Sequence, residues 1–89
     1  MTLPVDPERL RAQFPELSDA DLEAYVTVTR RILGEKTNRP RVTREILSTA
    51  ERARAQQEAG AQLSADETTA LGYLRAVEKM QRSTVTRRH

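Results

Sequence analysis

The chain contains no cysteine and no tryptophan, and its aromatic residues are only Phe14, Tyr25 and Tyr73. Without cysteine it forms no disulfide, no cysteine-ligated zinc site and no thiol nucleophile. No run approaches the roughly 18–20 apolar residues that span a bilayer. The N-terminal segment also lacks the basic, apolar and small-residue order of a signal peptide. We therefore expect a cytoplasmic protein that has no membrane partner.

Patterns of catalytic and cofactor sites are missing as well. The sole histidine is His89, the last residue of the sequence. There is no metal-ligand spacing, no glycine-rich phosphate loop and no Ser/His/Asp set. Asp19, Asp21 and Glu23 resemble a carboxylate cluster, but a helix cap and first-turn charges account for them. We expect no enzymatic activity, no metal, no cofactor and no small-molecule substrate.

What the 89 residues do contain favours helices, with 37% hydrophobic and 31% charged residues. Ala, Leu, Glu, Arg and Gln dominate between the breaks, and no stretch shows the alternation of a strand. The sequence predicts one all-α domain over residues 1–82, a small antiparallel three-helix bundle with a short additional N-terminal helix. Its four helices are expected at approximately residues 7–13, 19–33, 41–59 and 65–82.

Capping residues mark the helix starts. Asp6 is the expected N-cap of the first helix and Ser18 that of the second. Ser64 and Glu67 form a full capping box at the start of the fourth helix.

Glycines mark two of the helix ends. Gly34 and Gly60 are expected to stop the second and third helices. We expect residues 83–89 to form a flexible basic tail.

Charges of opposite sign occupy different segments of the chain. Residues 1–24 are mainly acidic, residues 30–44 are mainly basic, and the segment from Arg75 is basic again, within a net charge of +2. Short connections favour antiparallel neighbours, so the helix order predicts that both basic segments meet at one end. Helix dipoles explain most of the pattern without a partner.

Basic residues at the start of the third helix are not explained by that helix's own dipole. Guanidinium groups and a hydroxyl near free backbone N–H groups suit a phosphate or carboxylate, although a solvated loop is the alternative. The candidate anion or nucleic-acid site combines these residues with the basic tail: Arg39, Arg41, Thr43, Arg44, Arg82, Arg87 and Arg88.

The fourth helix carries apolar residues over about half of its circumference, more than contact with two neighbours requires. A glycine inside a helix costs about 1 kcal/mol relative to alanine, so close approach of another backbone would explain one here. The candidate protein interface is Gly72, Tyr73, Ala76 and Met80. The alternative is that the N-terminal segment covers this edge through Leu3, Val5, Leu10 and Phe14.

The second half of the third helix, beyond Leu47, contains no large apolar residue. Its small side chains favour close helix pairing, either within the chain or between copies. The alternative is an exposed helix of high helix propensity.

Taken together, these features predict a non-enzymatic module for protein–protein interaction or oligomerisation, as a homo-oligomer or an accessory subunit. The alternative is nucleic-acid or other polyanion binding through the basic end. Residues 14–25, Phe-Pro-Glu-Leu-Ser-Asp-Ala-Asp-Leu-Glu-Ala-Tyr, loosely resemble the first helix of phage head–tail adaptor proteins. This stretch is mostly a capped helix start, and we assign no family from it.

Overall fold

The computed structural model describes residues 6–87, with side chains described for residues 6–82. All regular structure in this range is α-helical. The helices are α1 (Pro7–Gln13), α2 (Asp19–Gly34), α3 (Arg39–Glu58) and α4 (Ala65–Arg87). The predicted all-α fold class, three long helices with a short N-terminal helix, is confirmed. The predicted single-domain division at residue 82 stays a prediction.

Side-chain caps begin three of the four helices where the sequence predicts them. Asp6 Oδ1 accepts a hydrogen bond from the Glu8 N–H at 3.1 Å, and Ser18 Oγ accepts one from the Asp21 N–H at 3.2 Å. In the capping box, Ser64 Oγ accepts from the Glu67 N–H at 3.2 Å. Glu67 Oε1 accepts in return from the Ser64 N–H at 3.0 Å. Each cap pairs N–H groups that have no partner inside the helix.

The capping box makes the stability of the fold depend on pH through Glu67. The hydrogen bond from the Ser64 backbone N–H, followed by its contact with the Ser64 side chain, lowers the pKa of Glu67. A lowered folded-state pKa stabilises the fold above the ordinary glutamate pKa, and this contribution is lost as pH falls through the folded pKa. Glutamine keeps a hydrogen-bond acceptor but does not titrate. We therefore expect the free energy of unfolding of Glu67→Gln to fall less steeply with decreasing pH in the acidic range than that of the wild type. Urea unfolding between neutral and acidic pH measures this. An unchanged acid limb would contradict the role of the charged carboxylate.

The two glycine stops behave differently. Gly60 has a φ of 85°, and the chain leaves α3 through a Schellman motif. In that motif the Gly60 N–H donates to the Gln57 carbonyl and the Ala61 N–H donates to the Gln56 carbonyl. Gly34 instead remains helical as the last residue of α2, and Glu35 is the C-cap.

The end of the fourth helix differs from the prediction. α4 continues to Arg87 rather than ending near Arg82, so the predicted flexible tail is helical over residues 83–87. That stretch contains no proline or glycine, and Ser, Thr and Val reduce helix propensity only modestly. The remaining tail residues, 88 and 89, lie outside the described range.

α4 is the central helix, since α2 and α3 each pack extensively on it and only slightly on each other. One core cluster joins the first half of α2 to the middle of α4, through Leu22, Val26 and Ala76. The other joins Val28 of α2 and Ile46 of α3 to the first half of α4. Leu71 is the one described large side chain that is fully buried. The core is therefore thin and rich in alanine.

The direction of α4 corrects the predicted topology, in which α2 and α4 point the same way and end at the same end of the bundle. Asp21, near the start of α2, pairs with Lys79 in the second half of α4. Val28, in the second half of α2, clusters with Ala70 near the start of α4. α2 and α4 are thus antiparallel, and their C-terminal ends lie at opposite ends of the contact. The extents of 36 × 33 × 22 Å fit helices that cross broadly rather than all aligning, since a 20-residue helix is about 30 Å long.

Candidate functional site

Two of the four interface candidates lie inside the protein, which corrects the prediction for them. Gly72 is buried and Ala76 is 0% exposed. A Cβ built on Gly72 would lie 2.7 Å from the Ala24 Cβ. The close backbone approach that Gly72 permits is therefore the α2–α4 contact of the same chain.

The other two candidates remain half-exposed on α4. Tyr73 stacks on Tyr25 of α2, with ring centroids 5.6 Å apart and planes 13° from parallel. Burial, with a smaller contribution from Tyr25, raises the pKa of the Tyr73 hydroxyl. Met80 packs beside Leu10 and Phe14 against the first core cluster. Leu10 and Phe14 thus cover part of this edge, whereas Leu3 and Val5 lie outside the described residues.

Val77 also belongs to this surface, although the sequence placed it in the apolar arc of the fourth helix and not among the interface candidates. It is half-buried and belongs to neither described core cluster. Tyr73, Val77 and Met80 follow one another at i, i+4 and i+7, so they share one face of α4. We call these three residues the α4 edge. The spacing of four residues from Tyr73 could have added Val77 to the predicted interface.

The small-residue half of α3 pairs with α4 within the chain. Ala50 and Ala53 are 0% exposed. Arg54 forms an ion pair with Glu78 of α4, and the Arg75 guanidinium donates to the Gln57 side chain. This part of the described surface is already occupied inside one chain.

The predicted anion site is not one cluster. Arg39 Nε donates to the Glu35 carbonyl at 2.7 Å, and its Nη2 donates to the Leu33 carbonyl at 3.0 Å. Arg39 therefore caps the C-terminal end of α2, where a positive charge complements the helix dipole. This contact explains a charge that is unfavourable for α3 alone.

The other three candidates at the start of α3 have different surroundings. Arg41 forms an i,i+4 ion pair with Glu45 at 3.2 Å. The Thr43 hydroxyl donates to the Arg39 carbonyl at 2.9 Å. Arg44 is exposed and makes no hydrogen bond or ion pair with the described residues.

The basic residues from the end of the chain do not meet this group. Because α4 runs antiparallel to α2, Arg82 lies beyond Lys79, at the end of α4 that packs on the start of α2. The predicted convergence of both basic segments is therefore wrong. The side chains of Arg87 and Arg88 lie outside the described ones.

A partly buried ion pair between α2 and α4 was not predicted from the sequence. Lys79 Nζ lies 2.9 Å from Asp21 Oδ2, with the two side chains 32% and 9% exposed. From the sequence, Asp21 was interpreted as a capping residue at the start of α2 that also complements the helix dipole. Its spacing of three residues before Ala24 and seven before Val28 was the signal that it lies on the buried face of α2.

Two grooves flank the α4 contacts. One has a volume of about 430 Å³, is lined by Ala24, Leu71 and Gly72, and has Asp21 and Arg75 at its sides. The other, of about 390 Å³, lies where α2, α3 and α4 meet. Among the described residues, no group of three or more potential ligands could hold a metal ion. No helix in the described part is long and apolar enough to cross a bilayer.

Comparison with models of known protein families, with curated proteins and with solved structures finds no significant match.

Proposed function

We propose that this chain is a non-enzymatic helical module that acts by contact with another protein chain. The proposed partner is a second copy of the same chain. The supporting observation is the α4 edge, which stays half-exposed although α4 already contacts both other long helices. A cytoplasmic location belongs to the same proposal and rests on the absence of cysteine.

The chemistry of the α4 edge suits a helix-to-helix contact. Tyr73 offers a large apolar ring with a hydroxyl, a type of side chain enriched at interfaces. Val77 and Met80 extend the apolar surface by one further helical turn each. In an isologous dimer the two α4 edges face each other across a two-fold axis. The half-buried Leu74, next to Tyr73 on α4, adds apolar area toward the roughly 800 Å² per partner that a stable interface buries.

The replacement Val77→Glu tests the interface without touching either core cluster. A carboxylate near the centre of an apolar interface is desolvated without a partner, and such a change costs roughly 2 kcal/mol or more. We expect the dimer dissociation constant to rise about 30-fold or more. Light scattering over a concentration series measures the mass, which should fall from twice 10.1 kDa toward the single chain.

The matched control is Ser48→Glu, which adds the same charge at an exposed position of α3. It should leave the dimer dissociation constant unchanged, and far-UV circular dichroism should show that both variants remain helical. A wild-type protein that stays at the single-chain mass up to high micromolar concentration would contradict self-association. In that case a different partner chain, recovered after amine crosslinking of the wild type but not of Val77→Glu, would assign the α4 edge to that chain.

A further inference from the structure

A second surface is defined by charge and is independent of the α4 edge. The last turns of α2, the short connection and the start of α3 form one corner of the molecule. We call it the basic corner, and it consists of six exposed residues: Arg30, Arg31, Lys36, Arg39, Arg41 and Arg44. All six belong to the basic segment 30–44 of the sequence, but only the three arginines of α3 were predicted as part of an anion site.

The members of the basic corner differ in what they already bind. Arg39 is held by the carbonyls at the end of α2, and Arg41 is paired with Glu45. The other four make no hydrogen bond or ion pair with the described residues, and these are Arg30, Arg31, Lys36 and Arg44. Four cations therefore keep their donors available to a ligand.

Nearby carboxylates only partly balance the corner. Glu35, Glu45 and Asp66 line the groove of about 390 Å³ together with Arg31. Six cations against these three carboxylates leave an excess of three positive charges at this corner, more than the +2 of the whole chain. The charges of the remaining residues sum to −1, so the corner carries a local positive field that the net charge of the whole chain does not show.

We infer that the basic corner binds the phosphate backbone of double-stranded nucleic acid without reading its sequence. Five of its six cations are arginine, whose planar donors match phosphate oxygens in pairs. Single strands are generally held by stacking on aromatic rings. Here Tyr25 and Tyr73 stack on each other instead, and Phe14 packs on the first core cluster.

An anionic membrane is a poorer fit for the corner. Surface-binding helices insert several large apolar side chains beside their cations. Leu33, at 37% exposure, is the one described large apolar residue that is exposed. The basic corner therefore offers a partner little besides its positive charge. Duplex phosphates present negative charge at higher density than an anionic membrane does.

Salt dependence tests this inference. Neutralising four phosphates gives a slope of about −3.6 in log affinity against log salt, which is roughly a 150-fold loss between about 50 and about 200 mM salt. Arg30→Gln, Lys36→Gln and Arg44→Gln together should reduce that loss to about 3- to 4-fold. Fluorescence anisotropy with a labelled DNA duplex of mixed sequence measures both.

The matched control removes three exposed arginines elsewhere, through Arg9→Gln, Arg52→Gln and Arg75→Gln. It has the same net charge as the corner triple variant and should keep the wild-type slope. Equal loss of slope in both variants would show that net charge alone acts, and would overturn the assignment to the corner. Absence of duplex binding at low salt, or binding to vesicles of anionic lipid in its place, would overturn it too.

Discussion

Replacing Gly72 with alanine is expected to lower the free energy of unfolding by about 2 kcal/mol, although alanine is the better helix former by about 1 kcal/mol. The added Cβ would lie 2.7 Å from the Ala24 Cβ, closer than two methyl groups approach. Ala24 has no side-chain freedom to withdraw, so α2 must move away from α4. Overpacking of this kind costs typically 1–3 kcal/mol. We expect the upper end because neither Cβ can move without its backbone at the largest contact in the fold, and subtracting the propensity gain of about 1 kcal/mol leaves about 2 kcal/mol. Thermal unfolding should show a decrease of roughly 10 °C in Tm.

Two further variants separate the contact from helix propensity. Gly34 also lies in a helix, but a Cβ there meets nothing within 4 Å, so Gly34→Ala should stabilise by about 0.5–1 kcal/mol. In the double variant Gly72→Ala with Ala24→Gly, the methyl group crosses to the other helix and the clash disappears. We expect that variant to recover most of the lost stability. A Gly72→Ala protein as stable as Gly34→Ala would contradict the close approach.

Local features of the fold could be predicted from the sequence because they depend on neighbouring residues. Asp6, Ser18 and Ser64 start their helices as expected, and Gly60 stops α3 in the left-handed conformation. Each of these positions is decided by hydrogen bonds that reach two to five residues along the chain.

The direction of α4 could not be predicted in the same way. The rule that short connections place helices side by side does not fix the angle at which α3 crosses α4, and that angle decides where α4 ends. The convergence of the basic segments depended on this direction and was lost with it. Arg39 shows the same limit, because its partners are carbonyls of the preceding helix rather than groups on its own. Gly72 was correctly singled out as a close-approach residue, but the sequence does not say which backbone approaches.

The ion pair between α2 and α4 yields the second large effect, and Lys79→Met isolates its charge. Methionine keeps most of the apolar stem of lysine but removes the ammonium group, leaving the Asp21 carboxylate, whose side chain is 9% exposed, without its partner. Breaking a fully buried pair costs about 3–5 kcal/mol. Because Lys79 is itself 32% exposed, solvent screening reduces the expected loss to about 2 kcal/mol. Urea unfolding of the wild type and the variant measures the difference.

The reverse change should cost less, and this asymmetry identifies the source of the effect. In Asp21→Asn the lysine can turn toward solvent, whereas in Lys79→Met the carboxylate on the buried face of α2 cannot. Combining both changes should therefore recover part of the loss caused by Lys79→Met alone, as a double-mutant cycle measures. The matched control is Arg11→Met, which breaks the ion pair between Arg11 and Asp19. The Arg11 side chain is 63% exposed and the Asp19 side chain is 85% exposed. An exposed pair contributes about 0–1 kcal/mol, so equal losses for Arg11→Met and Lys79→Met would show that burial of Asp21 does not determine the cost.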